Sequence, residues 1–446
     1  MTSRFHSFLL PGFIEFRKKF YLRVEYYKFL SEIDSNSLSP EEIIMLLLEG
    51  IKVLDFTQYL AGPTVGRLMA EMGAEIIKIE IAPNGDASRG IPMVKEPGRS
   101  GYFIQQNRGK KSLCLDLRKE EAREIVHQLI RKVDVIVENF GPGVMEKRGW
   151  DWAQVKEINP GVVMASISAY GRESTLSHKT GYDWAAQAFS GLMHMNGEKD
   201  GPPLPVGIGI ADIGSGVHAF SAIGYALFHK GRTGKGQWLD ISMVDCMFHM
   251  HDVSLQGYSL TKGEWRPFRQ GAHHELIAPF GVFRGPSGYI VIMSLQPQWG
   301  NVCDAIGRPE LKNDQRYAEG VDRGKKQKEI IDMIEEWMKL FPDNDAVMKH
   351  LEEYRVPCAP VMDPVDTIDD PYFKSRDMIN NIVDPVLGPL IIPGFPLKFS
   401  EQNEKLDLKA PTLGEHNEEV LVSTLGYCSE DVSQLEKDEV LFSKNV

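Results

Sequence analysis

Residues 51–80 read IKVLDFTQYLAGPTVGRLMAEMGAEIIKIE. IKVLDF (51–56) is a short apolar run of the kind that fills a strand buried on both faces. AGPTVGRLMAEMG (61–73) has helical spacing of its apolar residues, and Gly73 is placed to stop the helix. AEIIKIE (74–80) reads as a second strand. Strand, helix and strand in close succession predict the start of a parallel sheet.

The rhythm continues downstream. KKSLCLDL (110–117) alternates like a strand. EEAREIVHQLIRKV (120–133) is an amphipathic helix, acidic at its start and basic at its end, as the helix dipole favours. DVIVENF (134–140) and GVVMASISAYG (161–171) are buried-type strands. A long helix is expected over 214–229, ending in the turn GRTGKGQ, with strand-like WLDISM and helical VDCMFHMHDVSL after it. From about residue 260 the texture changes: GYIVIMS (288–294) is a strand, followed by helices around 325–355.

The fold class expected is α/β: a large domain built on a doubly wound parallel sheet, with a smaller α+β domain. Its boundaries are placed at 50–255 for the large domain and 256–385 for the smaller one, with 386–446 returning to the first. Residues 1–49 form an extension, aromatic and basic, without the apolar core or cleavage site of a signal peptide. Its acids (Glu15, Glu25, Glu32, Asp34) suit a mitochondrial transit peptide poorly, and Met45 is a candidate natural start.

Charge and cysteines exclude several classes. The net charge of −12 argues against a general nucleic-acid or membrane-surface binder. No apolar stretch approaches the roughly 18–20 residues of a membrane span. Cys114, Cys246, Cys303, Cys358 and Cys428 are scattered and lack CxxC spacing, so neither a disulfide framework nor a zinc knuckle is expected. A reducing cytoplasm is the default location.

GIGIADIGSG (207–216) imitates a dinucleotide fingerprint, yet its sixth position is Asp212, whose charge would repel a phosphate. GRTGKGQ (231–237) follows Lys235 with Gly236 and sits between helix and strand, the wrong order for a phosphate loop. Cys246, His249, His251 and Asp252 have no second cluster to close a metal site, and His273-His274-Glu275 lacks the HExxH spacing. No Gly-x-Ser-x-Gly elbow is present. Asp212 itself has two readings. It is a helix N-cap, or it is an ionised nucleophile in a nest of amides from Gly214–Gly216, with small neighbours that let a bulky acyl group approach. The residues alone leave both open.

Several segments together resemble the class III CoA-transferases of the formyl-CoA and carnitine CoA-transferase type. They are 51–80, DVIVENFGPGVMEKRGW (134–150), GYDWAAQAFSGLMHMNG (181–197), ADIGSGVHAFSAIGYALFHKGRTGKGQWLDISMVD (211–245), VPCAPV (356–361) and APTLGEH (410–416). They run in order from about residue 50 to 430. The resemblance implies that Asp212 attacks a donor acyl-CoA to give an aspartyl–acyl anhydride. CoA then converts this to an enzyme–CoA thioester, and an acceptor carboxylate reverses the steps. It implies CoA contacts at Leu60, Ala61, Leu115, Asp116, Leu117, Arg118, Asn139, Phe140, Gly141, Lys147 and Arg148. It also implies an interlocked dimer of identical or homologous subunits, acyl-CoA and carboxylic-acid ligands, and no metal or cofactor beyond CoA.

Three departures bear on substrate. Leu60 stands where some relatives have Gln, Ile81 where formyl-CoA transferases have Arg, and RQGAHHELIAP (269–279) where they have a glycine-only loop. These point away from formyl or oxalyl transfer. Related racemases carry His-Asp where this chain has Tyr182-Asp183, and tyrosine is a poor base at neutral pH, which favours transfer over racemisation. Tyr59, His194, His273, His274 and Trp299 are the candidate acceptor-pocket groups.

Overall fold

The computed structural model describes residues 46–91, 94–96, 98–402 and 406–444. The expected extension, Met45 included, lies outside the described residues apart from 46–49. Contacts divide the chain into two compact units. Of the described residues, one unit holds those from Leu46 to Ser166, Gly216–Asp240 and those from Leu397 to Lys444; the other holds Ile167–Ser215 and Ile241–Pro396.

The first unit is built on six strands: β1 (Lys52–Asp55), β2 (Glu75–Ile81), β3 (Lys110–Leu115), β4 (Val135–Glu138), β5 (Val163–Ser168) and β6 (Gln237–Ser242). Their spatial order is β3-β2-β1-β4-β5-β6. The pairs β1–β2, β2–β3, β1–β4 and β4–β5 are parallel, with Val53 opposite Ile76 on one side and Val135 on the other. Chain order therefore reverses between β1 and β4. In open sheets of this kind, ligands bind outside the carboxyl ends of the strands at such a reversal.

The sheet's two faces are unlike. One is apolar: Leu54, Ile77, Ile79, Leu113 and Ile136 pack against Ile125, Val126 and Leu129 of the helix Glu120–Ile130, with Trp150 and the C-terminal Leu421 and Val432. The other carries Asp55, Lys78, Glu80, Lys110 and Ser112, all fully buried. It lies under the helix Ala61–Ala70, where Lys110 Nζ donates to the Pro63 carbonyl at 3.1 Å. The C-terminal segment is tied to β3, since Asn417 Oδ1 accepts the Cys114 amide at 2.9 Å.

The second unit has a three-stranded antiparallel sheet of β7 (Phe280–Gly285), β8 (Gly288–Met293) and β9 (Cys358–Pro360), ordered β9-β8-β7. Its core joins Phe283, Ile290 and Ile292 to Ile330, Ile334 and Met338 of one helix and Val347 and Leu351 of the next. The same unit contains the helices Asp183–Phe189 and Met243–His249 and the first turns of the long helix Ile210–Thr233.

Candidate functional site

The turn after β1 leads directly into a helix. Leu60 stands at its N-cap position without a side-chain cap, and Ala61 begins it. Both side chains are buried. The turn is joined to the end of β4 by a reciprocal pair: Gln58 donates its amide to Asn139 Oδ1, and Asn139 Nδ2 donates to the Gln58 carbonyl, both at 2.8 Å. Leu60, Ala61, Asn139, Phe140 and Gly141 thus gather at the carboxyl ends of the two strands that flank the reversal. Phe140 rests on Phe56 with ring centroids 6.4 Å apart, and a side chain added at Gly141 would meet open space.

The other expected contacts are less uniform. Leu115 and Leu117 are core residues, and their carbonyls already accept the Ala82 amide at 3.0 Å and Arg123 Nε at 3.5 Å. Arg118 is exposed but paired with Asp116 at 2.7 Å, and its hydrogen bonds hold the Asp116 carboxyl at about 2. Lys147 is exposed on the short helix Val144–Arg148. Arg148 is half-buried, and burial together with the charge of Arg123 pulls its pKa down. Arg123 was not anticipated. Its signal is only that of a basic residue one turn into an acidic helix start, while the fold sets it near Arg148. A separate groove of about 500 Å³ is lined by Glu120, Glu121, Glu124, Asp431 and Asp438, the wrong charge for a polyphosphate.

Asp212 lies in the first turn of the helix Ile210–Thr233, which begins four residues before the expected 214. The cause is Asp183. Its Oδ2 accepts the amides of Ala211 at 2.7 Å and Asp212 at 3.1 Å, while its Oδ1 accepts from Gln187 Nε2. Gln187 Oε1 in turn accepts the Val206 amide at 2.9 Å. The glycine-rich segment before Asp212 is therefore fastened at both ends. Asp183, not Asp212, satisfies the orphan amides of the helix start.

This corrects the expected nest. Gly214 and Gly216 sit inside the helix and serve close packing. A Cβ at Gly214 would lie 2.8 Å from Met247 Cε, and one at Gly216 would lie 2.5 Å from the Ala61 carbonyl oxygen. Among the described residues no hydrogen bond or ion pair reaches the Asp212 carboxylate. Burial first, and the like charge of Asp183 second, push its pKa up to about 7. Asp212 is thus a carboxylate under electrostatic pressure rather than one held ionised by amides.

His273, His274 and Trp299 have packing roles. His273 packs edge-on against Phe283, and His274 stacks on Phe280. Trp299 is a core residue with the Arg323 guanidinium 5.0 Å over its ring. His251 Nε2 is 2.9 Å from the Ser190 carbonyl. The His194 carbonyl accepts from Arg269, and Tyr59 holds a left-handed backbone with φ 64°. Asp183 has both oxygens engaged in holding Gln187 and the start of the long helix.

Residues 48–417 match the sequence pattern of CoA-transferase family III. The formyl-CoA:oxalate CoA-transferase of Streptomyces coelicolor is 34% identical over 409 residues, covering 88% of this chain and 99% of that one. The succinyl-CoA:mesaconate CoA-transferase of Haloarcula hispanica is 36% identical over 384 residues, covering 84% and 95%. A solved CaiB/BaiF family protein from Brucella suis is similar with a TM-score of 0.74 at 33% identity, over 85% of this chain and 99% of that chain. The chain belongs to CoA-transferase family III, and it is an enzyme of that class. No helix among the described residues is long and apolar enough to cross a membrane.

Proposed function

We propose that this enzyme moves CoA from an acyl-CoA donor, such as succinyl-CoA, to a small carboxylic acid, with Asp212 as the covalent relay. The Asp212 carboxylate attacks the thioester carbonyl, the C–S bond breaks, and CoA leaves as thiolate. The thiolate attacks the Asp212 carbonyl of the mixed anhydride, which releases the donor acid and leaves an Asp212–CoA thioester. The acceptor carboxylate attacks that thioester and frees the thiolate again. Attack of the thiolate on the acceptor carbonyl gives the new acyl-CoA and regenerates the carboxylate. No net proton is consumed, and the thioester energy is conserved.

The observation that carries this reading is the placement of Asp212: it stands in the first turn of a helix capped by Asp183, and among the described residues no hydrogen bond or ion pair reaches its carboxylate. Every acylated form of Asp212 is neutral, so acylation relieves both the cost of burial and the repulsion by Asp183. The switch-point residues Leu60, Ala61, Asn139, Phe140 and Gly141 are assigned to CoA, with Lys147, Arg148 and Arg123 as phosphate donors. Arg118 has a smaller part because Asp116 already neutralises it. The departures at Leu60 and Ile81 favour an acceptor longer than oxalate, such as a dicarboxylate of the kind named for the Haloarcula relative. The enzyme acts as a dimer. Val217, Tyr225 and Phe228 form an apolar stripe on the long helix and are 46%, 75% and 65% exposed, a surface suited to a second copy.

The test is a screen of donor and acceptor pairs by mass spectrometry, with each acyl-CoA product measured directly. Succinyl-CoA with a dicarboxylate longer than oxalate is expected to give product. Formyl-CoA with oxalate as the sole productive pair would overturn the substrate assignment, and α-proton exchange without transfer would overturn the reaction.

A further inference from the structure

A second layer of residues, fully buried and out of reach of any ligand, determines the shape of the β1 turn. Tyr59 holds a φ of 64°, a region that a bulky L-residue enters only under constraint. Its amide donates to Asp86 Oδ1 at 3.3 Å. Two residues earlier, the Thr57 carbonyl accepts Lys78 Nζ at 2.6 Å, and that ammonium pairs with Asp86 Oδ2 at 2.9 Å. The Thr57 amide donates to Asp55 Oδ1 at 2.8 Å. Asp86 is itself anchored: its amide donates to Glu80 Oε2 and its carboxylate accepts the Ser88 amide, both at 2.9 Å. The turn is jammed against the helix that follows, since a Cβ at Gly62 would lie 2.2 Å from Thr57 Cγ2. Any relaxation at Thr57–Tyr59 must therefore move the first helical residues.

We infer that Asp86, with Lys78, is a positioning residue for CoA binding. It clamps the turn in its left-handed shape and so fixes Ala61 and Gly62 at the switch point. The inference rests on the assignment of that switch point to CoA. The clamp acts on binding rather than on Asp212, so its loss raises the KM for acyl-CoA and leaves kcat nearly unchanged. Glycine adopts a positive φ without help. The clamp is therefore needed less where Tyr59 is replaced by glycine.

The experiment is a double-mutant cycle of Asp86→Ala and Tyr59→Gly, read by CoA calorimetry, by kcat and KM, and by hydrogen exchange of the amides at 59–62. Asp86→Ala in the Tyr59 background is expected to weaken CoA about 10-fold, speed that exchange and keep kcat within about threefold. In the Tyr59→Gly background the same change is expected to cost less than about threefold. Should Asp86→Ala fail to fold, the cycle is run with Asp86→Asn, which keeps an acceptor for the Tyr59 amide and removes the charge paired with Lys78. It is expected to show the same pattern with a smaller loss. An equal loss of CoA affinity in both backgrounds, or unchanged affinity in folded Asp86→Ala, overturns the clamp alone. Wild-type enzyme that binds no CoA overturns the clamp together with the site assignment beneath it.

Discussion

Asp55 and Asp212 are both carboxylates withdrawn from water, and the fold treats them in opposite ways. Asp55 lies between Lys110, at 2.8 Å, and Lys78. Burial works to raise its pKa, but the two ammonium groups outweigh burial and hold it below the usual carboxylate range. Among the described residues no such cation pairs with Asp212; burial and Asp183 act in the same direction and bring it to about 7. The first charge is compensated and serves shape, by pinning the β1 turn. The second is uncompensated and is available for bond formation. Compensation, rather than burial, separates a structural carboxylate from a reactive one.

The largest expected effect is on the uncompensated charge. Asp212→Ala should lower transfer by at least about a thousandfold in steady-state assays while leaving the fold intact. Full activity in that variant would end the distinction. The compensated charge should respond through stability instead. Lys110→Met strands Asp55 and should cost about 3–5 kcal/mol, measured by denaturant unfolding. A loss below about 1 kcal/mol would mean the network is not what holds this face together.

The comparison sharpens with pH. Ionised Asp212 is the nucleophile, so kcat/KM for the acyl donor should rise with pH through an apparent pKa near 7. Asp183→Asn removes the neighbouring charge while still offering an oxygen to the Ala211 and Asp212 amides, and should shift that profile to lower pH. An unmoved profile would assign the pressure to burial alone. The same group bears on stability with a definite sign. The folded pKa of Asp212 lies above its unfolded value of 3.8, so its contribution falls as pH rises from there through about 7. Asp212→Asn should therefore melt at a higher temperature than wild type at pH 8, with the gap closing near pH 4. The smallest expected effect is at the surface. Arg118→Ala should change the KM for acyl-CoA less than about threefold, because Asp116 already holds that guanidinium, whereas Arg148→Ala should raise it about tenfold.

Much of this was legible in the chain. IKVLDF and AEIIKIE announced parallel strands through apolar runs. The cap of its helix was not legible, because Asp183 lies 29 residues upstream and only the fold brings the two together. Gly214 and Gly216 were misjudged for a related reason. Glycine in sequence signals either free amides or close packing, and only Met247 and Ala61 decide between them. The buried charge network did leave a trace. Lys78 and Glu80 alternate with Ile77 and Ile79 in β2, so one face of an otherwise apolar strand had to be charged and had to find partners. Which partners they find depends on register with Ser112 and Asp55, which no local pattern specifies.

The central claim is that Asp212 becomes acylated in every turnover. The most direct measurement supplies an acceptor labelled with ¹⁸O in both carboxyl oxygens, limits the enzyme to a single turnover by using acyl-CoA donor at no more than the enzyme concentration, and weighs the proteolytic peptide containing Asp212. Anhydride exchange leaves one acceptor oxygen on Asp212, so that peptide should gain a single ¹⁸O, and the product acyl-CoA should retain the other. An unlabelled Asp212 peptide beside fully formed product would contradict the account.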